Sequence, residues 1–160
     1  MNIAGQRSDS TADAGHLAQE HLSKRELLRQ VPVFEDFADR LLITLARRCD
    51  TVAVPAGTVL IAEGAPAQGF YVLERGRVAF TEHDVEVSAS SLPGTTLGLG
   101  SVLSSRPSPL TVTTREDSWF LAFREQEFWQ LAIGSAELLR AVVSALTTSL
   151  MAGQTDTLST

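Results

Sequence analysis

The chain has 160 residues, which is long enough to bury the core of one domain and leaves little length for a second. Its formal net charge of −6 argues against a surface that binds nucleic acid, because such surfaces usually have a basic patch. Cys49 is the single cysteine, which excludes an intramolecular disulfide and a four-thiolate iron–sulfur cluster.

The first residues show neither a secretory leader nor a packed element. Residues 1–22 are rich in Ser, Thr, Asp, Ala and Gly, which predicts a disordered or loosely ordered tail. No apolar run reaches the length of a membrane span, because Glu137 and Arg140 interrupt the last hydrophobic segment. We therefore expect a cytoplasmic protein with no membrane partner.

Two short helices are predicted next. Ser23 and Glu26 form a capping box that begins the first helix, and Pro32 disfavours helical geometry at the residue before it. Asp36 or Asp39 begins the second helix. The predicted inner face of this helix consists of Phe37, Leu41, Leu42, Thr44, Leu45 and Cys49.

Between residues 51 and 123 the pattern changes to short apolar runs separated by clusters of Gly, Pro, Asp and Ser. Gly57, Gly64 and Gly76 stand where the chain has to reverse. Many short strands at this spacing suggest an antiparallel roll or barrel. The predicted runs are 52–54, 59–62, 70–73, 78–80, 85–87, 110–113 and 118–122.

Helical periodicity returns after residue 123. Residues 125–133 predict a helix that ends at Gly134, and Ser135 begins a second one that extends to about Met151. We therefore predict a mainly β fold with flanking helices, namely an antiparallel, jelly-roll-like β-roll with short N-terminal helices and two C-terminal helices. The predicted domain spans residues 23–152, and residues 153–160 form a polar tail.

Two stretches resemble a known family. They are VPAGTVLIAEG at residues 54–64 and GFYVLERGRVAF at residues 69–80, which read as strands joined at fixed glycines. They resemble the cyclic nucleotide-binding domain family, the β-roll sensor of catabolite activator protein, protein kinase A regulatory subunits and cyclic-nucleotide-gated channels. The resemblance covers residues 27–150 and implies an eight-stranded roll whose mouth is covered by two C-terminal helices.

In this family the ligand pocket is a short helix and loop that begins with Phe-Gly-Glu and ends with Pro-Arg-x-Ala-Thr. The glutamate accepts a hydrogen bond from the ribose hydroxyl, and the arginine pairs with the cyclic phosphate. The corresponding segment here is LGLGSVLSSRPSPLTV at residues 97–112. Gly98 matches the family glycine, but Leu99 stands at the glutamate position and Ser108 at the arginine position.

The loss of both anchors predicts that cyclic nucleotides bind weakly or not at all. Truncating a buried charge-assisted contact costs about 2–5 kcal/mol, which lowers affinity by about two orders of magnitude near the middle of that range. Two alternatives stay open: Arg106 replaces the missing arginine, or serine hydroxyls and backbone amides hold a different ligand. The candidate ligand-binding residues are Gly98, Leu99, Gly100, Ser101, Arg106, Ser108 and Thr111.

The sequence shows no arrangement typical of catalysis or metal binding. His83 stands alone between Glu82 and Asp84, whereas a catalytic metal site usually needs three protein ligands. No nucleophile elbow or P-loop is present. We therefore expect neither an enzyme nor a metal site, and a cyclic nucleotide is the one candidate for a bound cofactor.

The last predicted helix has an apolar seam formed by Leu139, Val143, Leu146 and Leu150, at the spacing of a heptad pattern. Packing of one helix face on the roll explains part of this stripe. Relatives of the catabolite activator type dimerise through this helix, so the resemblance implies a homodimer. Transcription factors of the family add a helix-turn-helix module of about 60 residues, so we expect no DNA recognition by this chain.

Two functions fit these observations. The first is a non-enzymatic regulatory or interaction module that binds another protein and has weak or lost cyclic nucleotide binding. The second is a functional sensor of cyclic AMP, cyclic GMP or another small ligand that signals to a partner protein. Leu99 and Ser108 favour the first function, whereas the retained framework around Gly98 and Thr111 supports the second.

Overall fold

The structure is a computed structural model that describes residues 23–144 and Thr147. The predicted tails at residues 1–22 and 153–160 lie outside these residues. The helices are α1 (residues 23–29), α2 (Asp39–Arg48), α3 (Leu99–Ser104), α4 (Glu125–Ile133) and α5 (residues 136–144), with a 3-10 turn at Pro32–Phe34. The strands are β1 (Asp50–Val54), β2 (Val59–Ile61), β3 (Gly69–Arg75), β4 (Val78–Glu82), β5 (Val85–Ser90), β6 (Thr96–Leu97), β7 (Thr111–Thr114) and β8 (Ser118–Arg124).

The strands form two four-stranded sheets in which every pair is antiparallel. The first sheet has the order β1-β8-β3-β6, and the second has the order β2-β7-β4-β5. The chain therefore passes repeatedly between the sheets. The predicted antiparallel β-roll with flanking helices is confirmed.

Period-2 alternation divides the first sheet into two apolar faces. The first cluster, the helix-side core, is buried against the helices and includes Phe70 and Val72 of β3 and Leu121 and Phe123 of β8. The Phe70 and Phe123 rings stack with centroids 4.6 Å apart. Between the two sheets lies a second cluster made of Leu73, Val78, Leu97, Val112 and Phe120. Both faces of this sheet are therefore covered, one by helices and one by the second sheet.

Helix α2 packs on the roll through one face, as its sequence pattern predicts. Leu41, Leu42 and Leu45 are buried in the helix-side core. Thr44 corrects the predicted inner face because it is exposed, and its hydroxyl donates to the Arg40 carbonyl oxygen at 2.9 Å. The physical reason is the helical period, which places position 44 about 100° from Leu45 and about 160° from Leu42.

Helix α4 begins and ends near the predicted residues, and α5 begins near its predicted first residue, whereas its predicted end near Met151 lies outside the described residues. Helix α4 occupies Glu125–Ile133, with Gly134 as the residue that follows its last turn. Ser135 precedes α5, and its side-chain oxygen accepts a hydrogen bond from the backbone N–H of Leu138 at 3.2 Å. This is the capping interaction expected of a serine at that position. No helix in the described part of the chain is long and apolar enough to cross a membrane.

Strand β6 is the element that the sequence pattern did not reveal. It has only two residues, and it pairs with Tyr71 and Val72 of β3. Two residues are too few to show the alternation on which a strand prediction depends. Its position matters for the site, because it leads directly to Gly98 in the segment 97–112 that corresponds to the family's ligand pocket, the cassette.

Candidate functional site

A cavity of about 560 Å³ lies against the inner face of the first sheet. Val52 and Val54 of β1 line it, together with Tyr71 of β3 and Ala122 of β8, because alternation turns these positions away from the helices. Ile61 of β2 contributes from the second sheet. The size is within the range of small-molecule pockets, about 300–1,000 Å³, and the walls are mainly apolar, as such pockets usually are.

Gly98 brings the beginning of helix α3 close to the strands. Its φ is +85°, in the left-handed region, and a Cβ on it would lie 2.9 Å from Ile61 Cδ1 and 3.2 Å from the Gly69 carbonyl oxygen. The Gly98 carbonyl oxygen accepts the first helical hydrogen bond, from Val102 N–H at 3.1 Å. Glycine is required here for both conformation and space, so Gly98 fixes where the cassette meets the cavity.

Ser101 lies on the same side of α3 as Gly98, one turn further along the helix, and lines the cavity. Its side chain is 9 % exposed. Its hydroxyl has no hydrogen-bond partner within the described part of the chain and is not fully buried. A hydroxyl that lacks a protein partner and borders a cavity is available to a ligand.

Ser108 also lines the cavity, but its polar groups are already occupied. It is 7 % exposed, and its hydroxyl donates to the Leu110 carbonyl oxygen at 2.7 Å. Its backbone N–H donates to the Ala65 carbonyl oxygen at 3.0 Å, and its own carbonyl oxygen accepts from Gly64 N–H at 2.8 Å. Ser108 therefore ties its loop to the chain between β2 and β3.

The other candidate residues do not line the cavity. Leu99 is 6 % exposed and packs in the helix-side core. Gly100 and Arg106 are exposed, and Arg106 has no hydrogen bond or ion pair within the described residues. Thr111 is half-buried, and its hydroxyl oxygen accepts from Glu63 N–H at 3.0 Å. The structure therefore brings Gly98, Ser101 and Ser108 together at the cavity and leaves the other four outside it.

The charged residues on the cavity lining are Asp50 and Arg124. Both are exposed, they have opposite signs, and neither forms an ion pair with another described residue. Charges at an exposed position are well screened by solvent. Among residues 23–144, no group of three or more His, Cys, Asp or Glu side chains is arranged to hold a metal ion.

Helix α5 has a buried apolar face and an exposed one. Leu138 and Val142 are buried in the helix-side core, one turn apart. Leu139 and Val143 are 39 % and 62 % exposed. These two residues belong to the predicted seam, whereas the other two, Leu146 and Leu150, lie outside the described residues.

Residues 51–134 match the family model described as the cyclic nucleotide-binding domain, which is more than half of the chain. The chain belongs to the cyclic nucleotide-binding domain family. The matched segment contains all of the strands except the first residue of β1, and it also includes α3 and the whole of α4. The predicted family is confirmed.

Proteins of this family that are similar in sequence include a kinase subunit and a channel. The chain is 31 % identical over 91 residues to a cAMP-dependent protein kinase regulatory subunit of Aspergillus fumigatus, covering 56 % of this chain and 22 % of that protein. It is 26 % identical over 126 residues to a cyclic nucleotide-gated potassium channel of Rhizobium etli, covering 78 % and 34 %. The chain therefore spans about a fifth to a third of the length of these curated relatives.

Solved structures share the fold at lower identity. The N-terminal domain of a transcriptional regulator from Streptomyces coelicolor superposes with a TM-score of 0.71 at 21 % identity, covering 81 % of this chain and 93 % of that one. The regulatory domain of Toxoplasma gondii PKA, crystallised with cAMP, also has a TM-score of 0.71, at 15 % identity, covering 84 % and 51 %. At these identities the likeness establishes the fold.

Sequence reasoning concentrated on the cassette and did not name the strand residues that line the cavity. Val52, Val54, Tyr71, Ala122 and Arg124 all belong to this group. Alternation along each strand separates them from their core-facing neighbours. It does not reveal which of the two faces borders a cavity, because that depends on how the sheets are packed.

Proposed function

We propose that this cyclic nucleotide-binding domain is a non-catalytic regulatory module whose roll binds cyclic AMP and cyclic GMP weakly or not at all. The observation on which this rests is Ser108, a neutral residue at the arginine position whose hydroxyl is already hydrogen-bonded to its own loop. A cyclic phosphate at this point would lose its hydration without gaining a charge-assisted contact.

Leu99 adds a second argument. The resemblance places Leu99 at the position of the family's ribose-binding glutamate. In this chain the Leu99 side chain packs in the apolar core. A leucine accepts no hydrogen bond from a ribose hydroxyl. The two polar contacts that would hold a cyclic nucleotide are therefore both replaced.

The output surface in this proposal is helix α5. Leu139 and Val143 are exposed although the adjacent apolar face of the helix is already packed on the roll. Pairing of two such helices about a two-fold axis would bury the same residues in both copies. We propose a homodimer through α5 that presents the module to a protein partner.

The alternative is a functional cyclic nucleotide sensor in which Arg106 supplies the missing positive charge. Arg106 is exposed, lies two positions before Ser108, and follows Ser105, whose φ is +56°. Its side chain is not engaged by other described residues. A rearranged loop would be needed to bring its guanidinium to the cavity.

Isothermal titration of the full chain with cyclic AMP and cyclic GMP tests the proposal. We expect no saturable binding at micromolar ligand. A dissociation constant below about 1 μM would contradict it. In that event the Arg106→Ala variant identifies the source of the charge, since it should abolish binding if the alternative is correct.

A further inference from the structure

We infer that the cavity takes an uncharged, mainly apolar small molecule with one hydrogen-bonding group directed at Ser101. This inference rests on the proposed loss of cyclic nucleotide binding, and it adds the chemical class of the ligand. The observation behind it is the composition of the cavity walls, most of which are strand residues outside the cassette.

The interior walls supply no countercharge. Val52, Val54, Ile61 and Ala122 are apolar, and the two ionisable chains of opposite sign at the exposed margin are those of Asp50 and Arg124. An ion that entered the interior would exchange water for hydrocarbon with no partner of opposite charge. The walls therefore select against charged ligands and favour apolar ones.

The interior does hold polar groups that the protein itself leaves unused. Ser101 as a residue is 9 % exposed, and its hydroxyl, which remains accessible at the cavity, has no partner in the described part of the chain. Tyr71 is half-buried, its ring packs against Phe120 with centroids 5.9 Å apart, and its hydroxyl forms no hydrogen bond within the same residues. A hydroxyl in a mainly apolar cavity gains most from a ligand partner when the bound ligand excludes water.

Ser108 shows that a serine at the cavity lining does not necessarily have a free hydroxyl. Both serines line the cavity and are nearly equally buried, at 7 % and 9 % exposure. The Ser108 hydroxyl is satisfied by the Leu110 carbonyl oxygen, whereas the Ser101 hydroxyl is not satisfied by any described residue. A ligand with a single hydroxyl, carbonyl or amine group would therefore be oriented by α3 at Ser101.

Two dyes of the same shape and different charge test the ligand class. N-phenyl-1-naphthylamine is neutral and has one N–H group, and 8-anilino-1-naphthalenesulfonate adds a sulfonate to the same skeleton. In fluorescence titrations of the full chain we expect one saturable site for the neutral dye, with at least about tenfold tighter binding than the sulfonate. Equal or tighter binding of the sulfonate would overturn the inference.

Variants locate the dye. Ala122→Phe fills the cavity and should abolish binding, and Val54→Phe serves as a second filling variant if the first unfolds. Ser101→Ala should weaken binding about three- to tenfold, while Ser104→Ala, on the exposed side of the same helix, should not. Retention of full affinity in both filling variants, or loss of affinity in Ile133→Ser on the helical surface, would place the dye outside the cavity and overturn the inference.

Two further measurements separate this inference from the proposed function. Arg124→Gln should leave the affinity for the neutral dye unchanged, and a loss above about tenfold would overturn the inference, because it would show that the site depends on a cationic side chain. Displacement of the dye by micromolar cyclic AMP would contradict the proposed function itself. Absence of dye binding in a chain that also fails to bind cyclic AMP would overturn the inference alone.

Discussion

The backbone N–H of Ala38 donates a hydrogen bond to Glu137 Oε1 at 3.1 Å, across 99 positions of sequence. Ala38 is the N-cap residue of α2 and has no side chain that accepts a hydrogen bond. Glu137 lies in the first turn of α5. A carboxylate at the positive end of a helix dipole is favourable, so the two helices that flank the first sheet stabilise each other at this point.

We predict that Glu137→Ala lowers the free energy of unfolding by about 1 kcal/mol, the usual cost of losing an N-terminal cap. Glu137→Gln keeps an acceptor oxygen and should lose less. Urea unfolding followed by circular dichroism measures the difference. Arg140→Ala is the matched control, because Arg140 is exposed on the same helix and should change stability by less than about 0.5 kcal/mol. Equal losses in Glu137→Ala and the control would show that the contact contributes nothing.

Leu99 and Gly100 allow a carboxylate to be placed at neighbouring positions with opposite consequences. Leu99→Glu buries a charge in the helix-side core and should cost about 3 kcal/mol or more. Gly100→Glu introduces the same side chain into open space, since a Cβ at Gly100 meets nothing within 4 Å. We expect it to be neutral or stabilising by up to about 1 kcal/mol, as glycine is a poor helix former. Thermal and urea unfolding of both variants checks this, and a stable Leu99→Glu protein would disprove the core assignment.

Restoring the positive charge at residue 108 should restore part of the affinity for cyclic nucleotides. We predict that Ser108→Arg binds cyclic AMP at least about tenfold more tightly than the unmodified chain, because it adds a charge-assisted phosphate contact at the cavity lining. Ser104→Arg adds the same charge on the exposed side of α3 and should have no effect. Titration calorimetry compares the three proteins. Equal gains in cyclic AMP affinity in both variants would show that the added positive charge attracts the anion non-specifically.

Dimerisation through α5 predicts that Val143→Glu gives a folded monomer. The side chain is 62 % exposed, so the glutamate should not disturb the roll, but it would place charges against each other in the paired helices. Burying a valine or leucine contributes about 1.5–3 kcal/mol, so a few residues per chain are enough to affect association. Light scattering measures the mass of the particle.

Ile133→Glu is the control for this experiment, because Ile133 is 76 % exposed but belongs to α4. We expect it to remain dimeric. An unmodified chain that is monomeric at high concentration would show that the exposed seam has another role.

The sequence alone was sufficient to predict most of the fold. Capping residues such as Ser135 and the reversals at Gly57 and Gly64 act within a few residues, so their signals are local and readable. Apolar runs of three or more residues, separated by clusters of Gly, Pro, Asp and Ser, identified the longer strands. The two-residue strand β6 was not predicted, because it is defined by its pairing with β3 rather than by a pattern of its own.

The site depended on tertiary structure. Three residues of the cassette were equal candidates in the sequence but have different surroundings in the structure. Leu99 packs in the core, Ser101 presents an unpartnered hydroxyl to the cavity, and Ser108 is hydrogen-bonded to its own loop. The sequence determined that residues 99 and 108 are uncharged, because residue identity fixes charge. Packing decided which face of each strand and helix borders a cavity, because that depends on contacts between segments far apart in the chain, as the bond between Ala38 and Glu137 illustrates.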